Sequence, residues 1–249
     1  MQIEQVRVFK TGENNIGHHF FSLSPDGKYT RTLIHTGFIA PNQSPASLIK
    51  AFVPSLDGFP GKDKVVCLGS KVTAVLQNRV IRENNIHPSL LCQIATRFGT
   101  KTEHGVGVAG HPKKIQVAID EVGLIRILFA LGVSGLEKTV LKLGLIHKRL
   151  GLFFVIAGDQ VKGIDGLSHD DGYEHHVLRY PNNERFLSDL LGTIEYPVSL
   201  VDINDIGGTV SAITPNCPLT RDEIFTALRD NPFGQHKERT PIAVIGRNC

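Results

Sequence analysis

The chain has 249 residues and 27.3 kDa, with 41% hydrophobic and 20% charged residues. That is enough for a substantial core in one large domain or two small ones, and too apolar for a disordered or fibrous chain. Net charge is +3, from 27 Lys plus Arg against 24 Asp plus Glu, and too balanced for the clustered basic stripe of a nucleic-acid binder.

The N-terminus, MQIEQVRVFK, carries no basic-then-apolar leader. The longest uncharged apolar stretch, 127–136, lies between Arg126 and Glu137 and falls far short of the roughly 20 residues a bilayer span needs. Cys67, Cys92, Cys217 and Cys249 are widely spaced without a CxxC pair. The expectation is a cytoplasmic protein without membrane spans, zinc framework or disulfides.

Residues 1–30 are polar and Gly/Asn-rich, and 29–34 (YTRTLI) alternate like a half-buried strand. Ser44-Pro45 opens a helix that runs through 47–53 and ends before Pro54. Residues 65–68 read as a short buried strand, and 71–80, rich in β-branched residues, as a further extended segment. A helix is expected over 90–98. His111-Pro112 opens the clearest helix, with Ile115, Ile119, Val122 and the 125–127 run at helical spacing. Another covers 136–143, and the basic stretch 138–149, with Lys138, Lys142, Lys148 and Arg149, reads as a solvated face. Strands are expected at 153–156, 177–178, 198–202 and 242–245, and a helix at 221–229. Strands and helices alternate without a strict βαβ rhythm, which predicts an α+β or irregular α/β fold with mixed sheets and packed helices. No repeat or long linker interrupts 1–249, so one continuous unit is expected, with 1–110, 111–150 and 151–249 as its sub-divisions.

Two kinds of chemistry stand out. Gly105, Gly107 and Gly110 spell GxGxxG before a helix, but no buried strand precedes them and no acidic residue follows about 20 positions on. The dinucleotide fingerprint is therefore rejected, leaving a phosphate-contacting loop or a structural turn. Asp165 follows the apolar run GLFFVIAG and is expected on a turn just beyond a strand. Asp202, Asn204 and Asp205 lead out of the apolar run 198–202, with Asp202 and Asn204 on one side of the strand and Asp205 entering the loop. Such oxygen donors suit Mg²⁺ or Mn²⁺; each segment also reads as an Asx-turn capping a strand. The loop HDDGYEHH (169–176) is rich in metal-capable groups without a zinc spacing, and DNPFGQ (230–235) reads as a turn.

Five segments in order carry a resemblance: DKVVCLGSKVTAVLQNRVI, HGVGVAGHPKKIQVAIDEVGLIRIL, VIAGDQVKGIDG, VSLVDINDIGG and DNPFGQHKERTPI. The chain, from about Tyr29 onward, resembles the coenzyme F-420-0:γ-glutamyl ligase family, in its divergent ligase-like branch. The resemblance implies a dimeric, nucleotide-dependent enzyme that needs Mg²⁺ or Mn²⁺ and joins L-glutamate to a deazaflavin or folate-type acceptor, using GTP or ATP. The family's serine–lysine pair near the nucleotide matches Ser70 and Lys71. Its metal aspartate matches Asp165, and its acidic turn matches Asn204 and Asp205, with Asp202 as a shifted candidate. Three positions depart: the family's second lysine is Val75, the arginine after its acidic turn is Gly208, and a glutamine near the C-terminal turn is Arg239. The expected mechanism activates the acceptor as an acyl phosphate. Asp165 and Asp205 hold metal ions, Ser70, Lys71 and the 105–110 loop hold nucleotide, and His175 orients substrate or relays a proton. The alternatives are a metal-dependent phosphohydrolase and a non-catalytic binding module of the same fold.

Overall fold

The protein is represented by a computed structural model that describes residues 16–41, 43–96, 101–102, 105–106, 108–145, 147–148, 150–166, 176–179, 181–205, 207–234 and 239–248. Strands β1 (His19–Leu23) and β2 (Tyr29–Ile34) come first, then helix α1 (Pro45–Phe52), β3 (Lys62–Gly69), α2 (Ser70–Leu76) and β4 (Val80–Arg82). Next are α3 (Leu90–Thr96), the short strands β5 (Lys101–Thr102) and β6 (Gly105–Val106), α4 (Pro112–Val122) and α5 (Leu124–Lys142). Helices α6 (Leu152–Ala157) and α7 (Asp159–Lys162) precede β7 (Asp165–Gly166) and β8 (His176–Leu178). The chain ends with α8 (Asn183–Leu191), β9 (Val198–Asn204), β10 (Gly207–Ile213), α9 (Arg221–Leu228) and β11 (Ile242–Arg247). The fold is mixed α+β.

Described residues up to Asn78 and from Asn182 onward form one compact unit, and those from Arg79 to Pro181 form a second. The first is built on a six-stranded sheet of order β1-β2-β11-β3-β9-β10. All its pairings are antiparallel except β3 with β9, which run parallel with Gly69 opposite Val201. One face packs on α9: Tyr29, Leu33, Val65, Cys67, Val201, Ala243 and Ile245 share a core with Ile224, Ala227 and Leu228. The pleat turns Ile34, Val66, Leu68, Leu200 and Ile242 to the other face, where they are equally buried. Both faces being covered explains a departure from expectation. β2 is buried along its whole length, polar Thr30, Arg31 and Thr32 included. Arg31 is tolerated there because every nitrogen of its guanidinium group has an acceptor. It donates to the Ser22 hydroxyl at 3.1 Å, to the Ala227 carbonyl at 3.2 Å and to the Leu23 carbonyl, and it pairs with Asp230.

The second unit has its own core, in which α4 (Ile115, Ala118), α5 (Ile127, Ala130) and α6 (Phe153, Ala157) meet Cys92, Val161 and Val177. A small antiparallel sheet, β4-β8-β7, and the β5–β6 hairpin complete it. Glu121 receives both Arg79 (3.0 Å) and Arg179 (3.2 Å), which fastens α4 to the start and end of the unit.

Three expected elements are corrected. Residues 71–80 do not extend as a strand: α2 occupies Ser70–Leu76, and Thr73 to Leu76 are all buried, so packing overrides β-branched propensity. Residues 153–156 belong to helix α6, so Asp165 follows two helices and itself begins β7, rather than capping a strand. The helical pattern that appeared continuous across 125–127 is broken at Gly123 (φ 90°), and α5 begins at Leu124, twelve residues before the expected 136.

Candidate functional site

The parallel pair β3–β9 sets the geometry. Gly69 and Val201 lie opposite each other at the carboxyl ends of the paired region. The chain leaves β3 directly into Ser70 and Lys71, while β9 runs on through Asp202 and Asn204 to the turn residue Asp205. Five residues singled out in the sequence are thereby placed at one end of two neighbouring parallel strands in a single unit.

Ser70 is half-buried and Lys71 exposed. Asp202 and Asn204 are exposed with Ile203 half-buried between them, the alternation expected from the sequence. β10 returns from Gly207, opposite Asn204. At Gly208 a Cβ would overlap the Asp202 carbonyl oxygen and come within 2.8 Å of the Ile203 Cα. The position that carries arginine in the resembling family thus has no room here for any side chain. Val75, where that family has its second lysine, is 5% exposed in the core.

Asp205 is exposed, and its Oδ1 accepts a 2.8 Å hydrogen bond from Asn231 Nδ2. Asn231 follows α9 in the left-handed region (φ 51°) and is 6% exposed; its own Oδ1 is buried without a hydrogen-bond partner among the described residues. The neighbouring Asp230 is the partner of Arg31, which anchors this turn to the core. Sequence reasoning read 230–235 only as a turn. The Asn-Pro signal marked it, but nothing local announces a contact to Asp205.

In the second unit, Asp165 is half-exposed and Lys114 Nζ stands 3.7 Å from its Oδ1. Lys114 lies in the first turn of α4; its neighbour Lys113 pairs with Glu83 at 3.0 Å. Gly105 is in β6, paired with Thr102, and Gly110 closes a 3₁₀ turn from Val108 before α4. The strand ahead of α4 is a two-residue member of a hairpin separate from the six-stranded sheet. His111 caps α4 without a side-chain bond, and burial pushes its imidazole below the usual range. His175 and Gly107 lie outside the described residues. Asp165 and Asp205 belong to different units.

No group of three or more His, Cys, Asp or Glu side chains able to hold a metal occurs among the described residues. Zinc-like coordination therefore has no donor set there. The β9–β10 end offers hard oxygens instead: two carboxylates and two side-chain amides. That chemistry fits Mg²⁺ or Mn²⁺, which takes one or two protein carboxylates and fills its shell with water and phosphate oxygens. No helix among the described residues is long and apolar enough to cross a membrane. These features define a mixed α+β protein with an acidic hairpin at parallel strand ends. No protein-family model and no curated protein matches the chain.

Proposed function

We propose that the protein is a nucleotide- and divalent-metal-dependent ligase that joins L-glutamate to the carboxylate of a cofactor, with a folate or F-420-type acceptor. The observation that supports this reading is the Gly69–Val201 register: Ser70 and Lys71 follow β3 at the end of the parallel pair from which β9 continues through Asp202 and Asn204 to Asp205. Lys71 offers a cation to phosphate oxygens and Ser70 a hydroxyl donor. Asp205, with Asp202 and Asn204, would hold the Mg²⁺ or Mn²⁺. When bound, that ion neutralises charge on the phosphate oxygens.

In the reaction, an acceptor carboxylate oxygen attacks the terminal phosphorus of GTP or ATP, and the nucleoside diphosphate leaves. The glutamate amine then attacks the acyl carbon; the C–O bond to phosphate breaks, and phosphate and one proton are released. The residues of this chain bind and orient these groups.

A homodimer belongs to the same reading and is supported by α5. Ile125, Phe129 and Leu136 are 84%, 63% and 67% exposed on the face opposite the buried Ile127, Ala130 and Glu137. No charged residue falls on this stripe. Gly132, at the middle of the stripe, leaves open space where a Cβ would stand. Antiparallel pairing with a second copy about this residue would bring Leu128 to Leu136 and Phe129 to Gly135, where a Cβ would meet nothing.

The deciding experiment incubates the full chain with L-glutamate, Mn²⁺ or Mg²⁺, GTP or ATP, and dihydropteroate, dihydrofolate or the deazaflavin precursor. Mass spectrometry is expected to find a product heavier by one glutamyl unit, lost in Asp205→Asn and Lys71→Ala. Nucleotide hydrolysis that ignores glutamate points to a phosphohydrolase instead. No turnover, together with no nucleotide-induced rise in melting temperature, points to a binding module.

A further inference from the structure

The basic stretch 138–149 also carries large apolar side chains on its surface. Leu143, Leu145 and Leu150 are 68%, 72% and 61% exposed, interleaved with the exposed Lys142 and Lys148. The backbone holds these leucines in place. Past the end of α5, Gly144 takes a left-handed φ of 73°. Its N–H donates to the Leu141 carbonyl at 3.1 Å and the Leu145 N–H to the Val140 carbonyl at 3.1 Å, the paired bonds of a Schellman cap. The Leu150 N–H is held by the side chain of Glu137, which lies three residues ahead of Val140. Leu145 and Leu150 are therefore fastened to neighbouring positions of one helix. The charge on this surface is one-sided. Residues 138–158 contain no Asp or Glu, and the acid just before them, Glu137, is buried against backbone amides.

We propose that the end of α5 and the turn after it form a docking surface for an anionic phospholipid bilayer, independently of the ligase reading. The lysine ammonium groups are drawn to the negative surface potential of such a membrane. The leucines enter the boundary between headgroups and acyl chains, as the apolar face of an interfacial helix does. The contact is with the membrane surface, since no helix among the described residues is long and apolar enough to cross. Charge and apolar area together select this occupant. Nucleic acid supplies negative charge but no apolar phase for three leucines. A second copy of the chain supplies apolar area, but symmetric pairing here sets lysines against lysines. That separates this surface from the uncharged stripe of Ile125, Phe129 and Leu136.

The test mixes the full-length protein with lipid vesicles, reads the bound fraction by co-sedimentation, and follows each variant by melting temperature. The parent is expected to sediment with phosphatidylserine–phosphatidylcholine vesicles, and to stay in solution with phosphatidylcholine alone or in high salt. Lys142→Gln combined with Lys148→Gln is expected to weaken binding roughly 30-fold, since each lysine near an anionic leaflet contributes about a factor of five. Leu143→Ser combined with Leu145→Ser is expected to weaken it about tenfold or more on the same vesicles. Both leucines are exposed, so the melting temperature of that variant should stay at the parent's value. If it falls instead, the lysine pair carries the test. The proposal is overturned if the parent ignores anionic vesicles or binds phosphatidylcholine equally well. It is also overturned if the serine variant binds as tightly as the parent, which marks a polyanion site. A serine variant that changes only the mass by light scattering overturns it too, and marks a contact between copies.

Discussion

Glu137 offers the sharpest test of how the second unit is held together. It lies on α5 with only 5% of its surface exposed. Its carboxylate accepts backbone N–H groups from Leu150, from Gly151 at 2.8 Å and from Leu152 at 3.2 Å. These amides open α6, whose N-cap residue, Gly151, has no side chain with which to satisfy them. A carboxylate borrowed from the preceding helix therefore does the work of a cap, and its charge sits favourably at the positive end of α6. Glu137→Ala strands up to three donors. An unsatisfied buried group costs about 1–3 kcal/mol, and water can reach the exposed Leu150 end, so the expected loss is about 3–5 kcal/mol. Glu137→Gln keeps one oxygen and loses the charge, for roughly half that cost. Urea unfolding followed by circular dichroism gives the totals. Hydrogen exchange at the Leu152 amide locates the effect, because protection there should collapse before that of α4. A Glu137→Ala protein within about 0.5 kcal/mol of the parent, with the Leu152 amide still protected, would refute the borrowed cap.

Three further outcomes are expected. Glu223 accepts the Thr220 backbone N–H and pairs with Arg247, which together bring its pKa from 4.5 to about 2. Its contribution is therefore complete above about pH 4.5 and lost as pH falls through about 2; Glu223→Gln should flatten that acid limb in a melting series, and an unchanged slope would count against it. Gly208→Ala drives a Cβ into the Asp202 carbonyl and should cost about 1–3 kcal/mol in thermal unfolding, because β9 and β10 must part to accept it; a neutral substitution would show that the hairpin is looser than described. Phe129→Asp puts a charge at the centre of the α5 stripe and should convert a dimer to a monomer by light scattering with the melting transition kept, whereas an unchanged mass would place the dimer contact elsewhere.

How legible each element was depended on whether its cause is local. Ser44 accepts from Ser47 N and Pro45 takes the first turn, so α1 could be read from two adjacent letters. Pro112 and a helical period did the same for α4. By contrast, α2 and α6 are short segments of seven and six residues, lengths at which period cannot separate helix from strand. α6 is settled by Glu137, far upstream, and α2 by the burial of Thr73 to Leu76. β1 was hidden for a different reason. It is an edge strand with a largely exposed face, and the polar residues 19 and 22 gave no hydrophobic run to find.

The same distinction governs the candidate site. The alternation of Asp202 and Asn204 is a property of one strand, so it was visible in the letters alone. The neighbourhood of Ser70 and Asp202 is a property of a parallel pairing between segments some 130 residues apart, which no spacing within either segment encodes. Gly208 shows how a residue can be misread when only its own position is considered. Against a family pattern it looks like an arginine lost, yet the close approach of β9 and β10 demands a residue without a side chain there. Asn231 is the converse case: a turn residue by its neighbours, it acquires chemical meaning only through Asp205. Residues whose role is fixed by a distant backbone are thus the ones on which function should be tested first, since local sequence logic supplies no competing reason for them to be what they are.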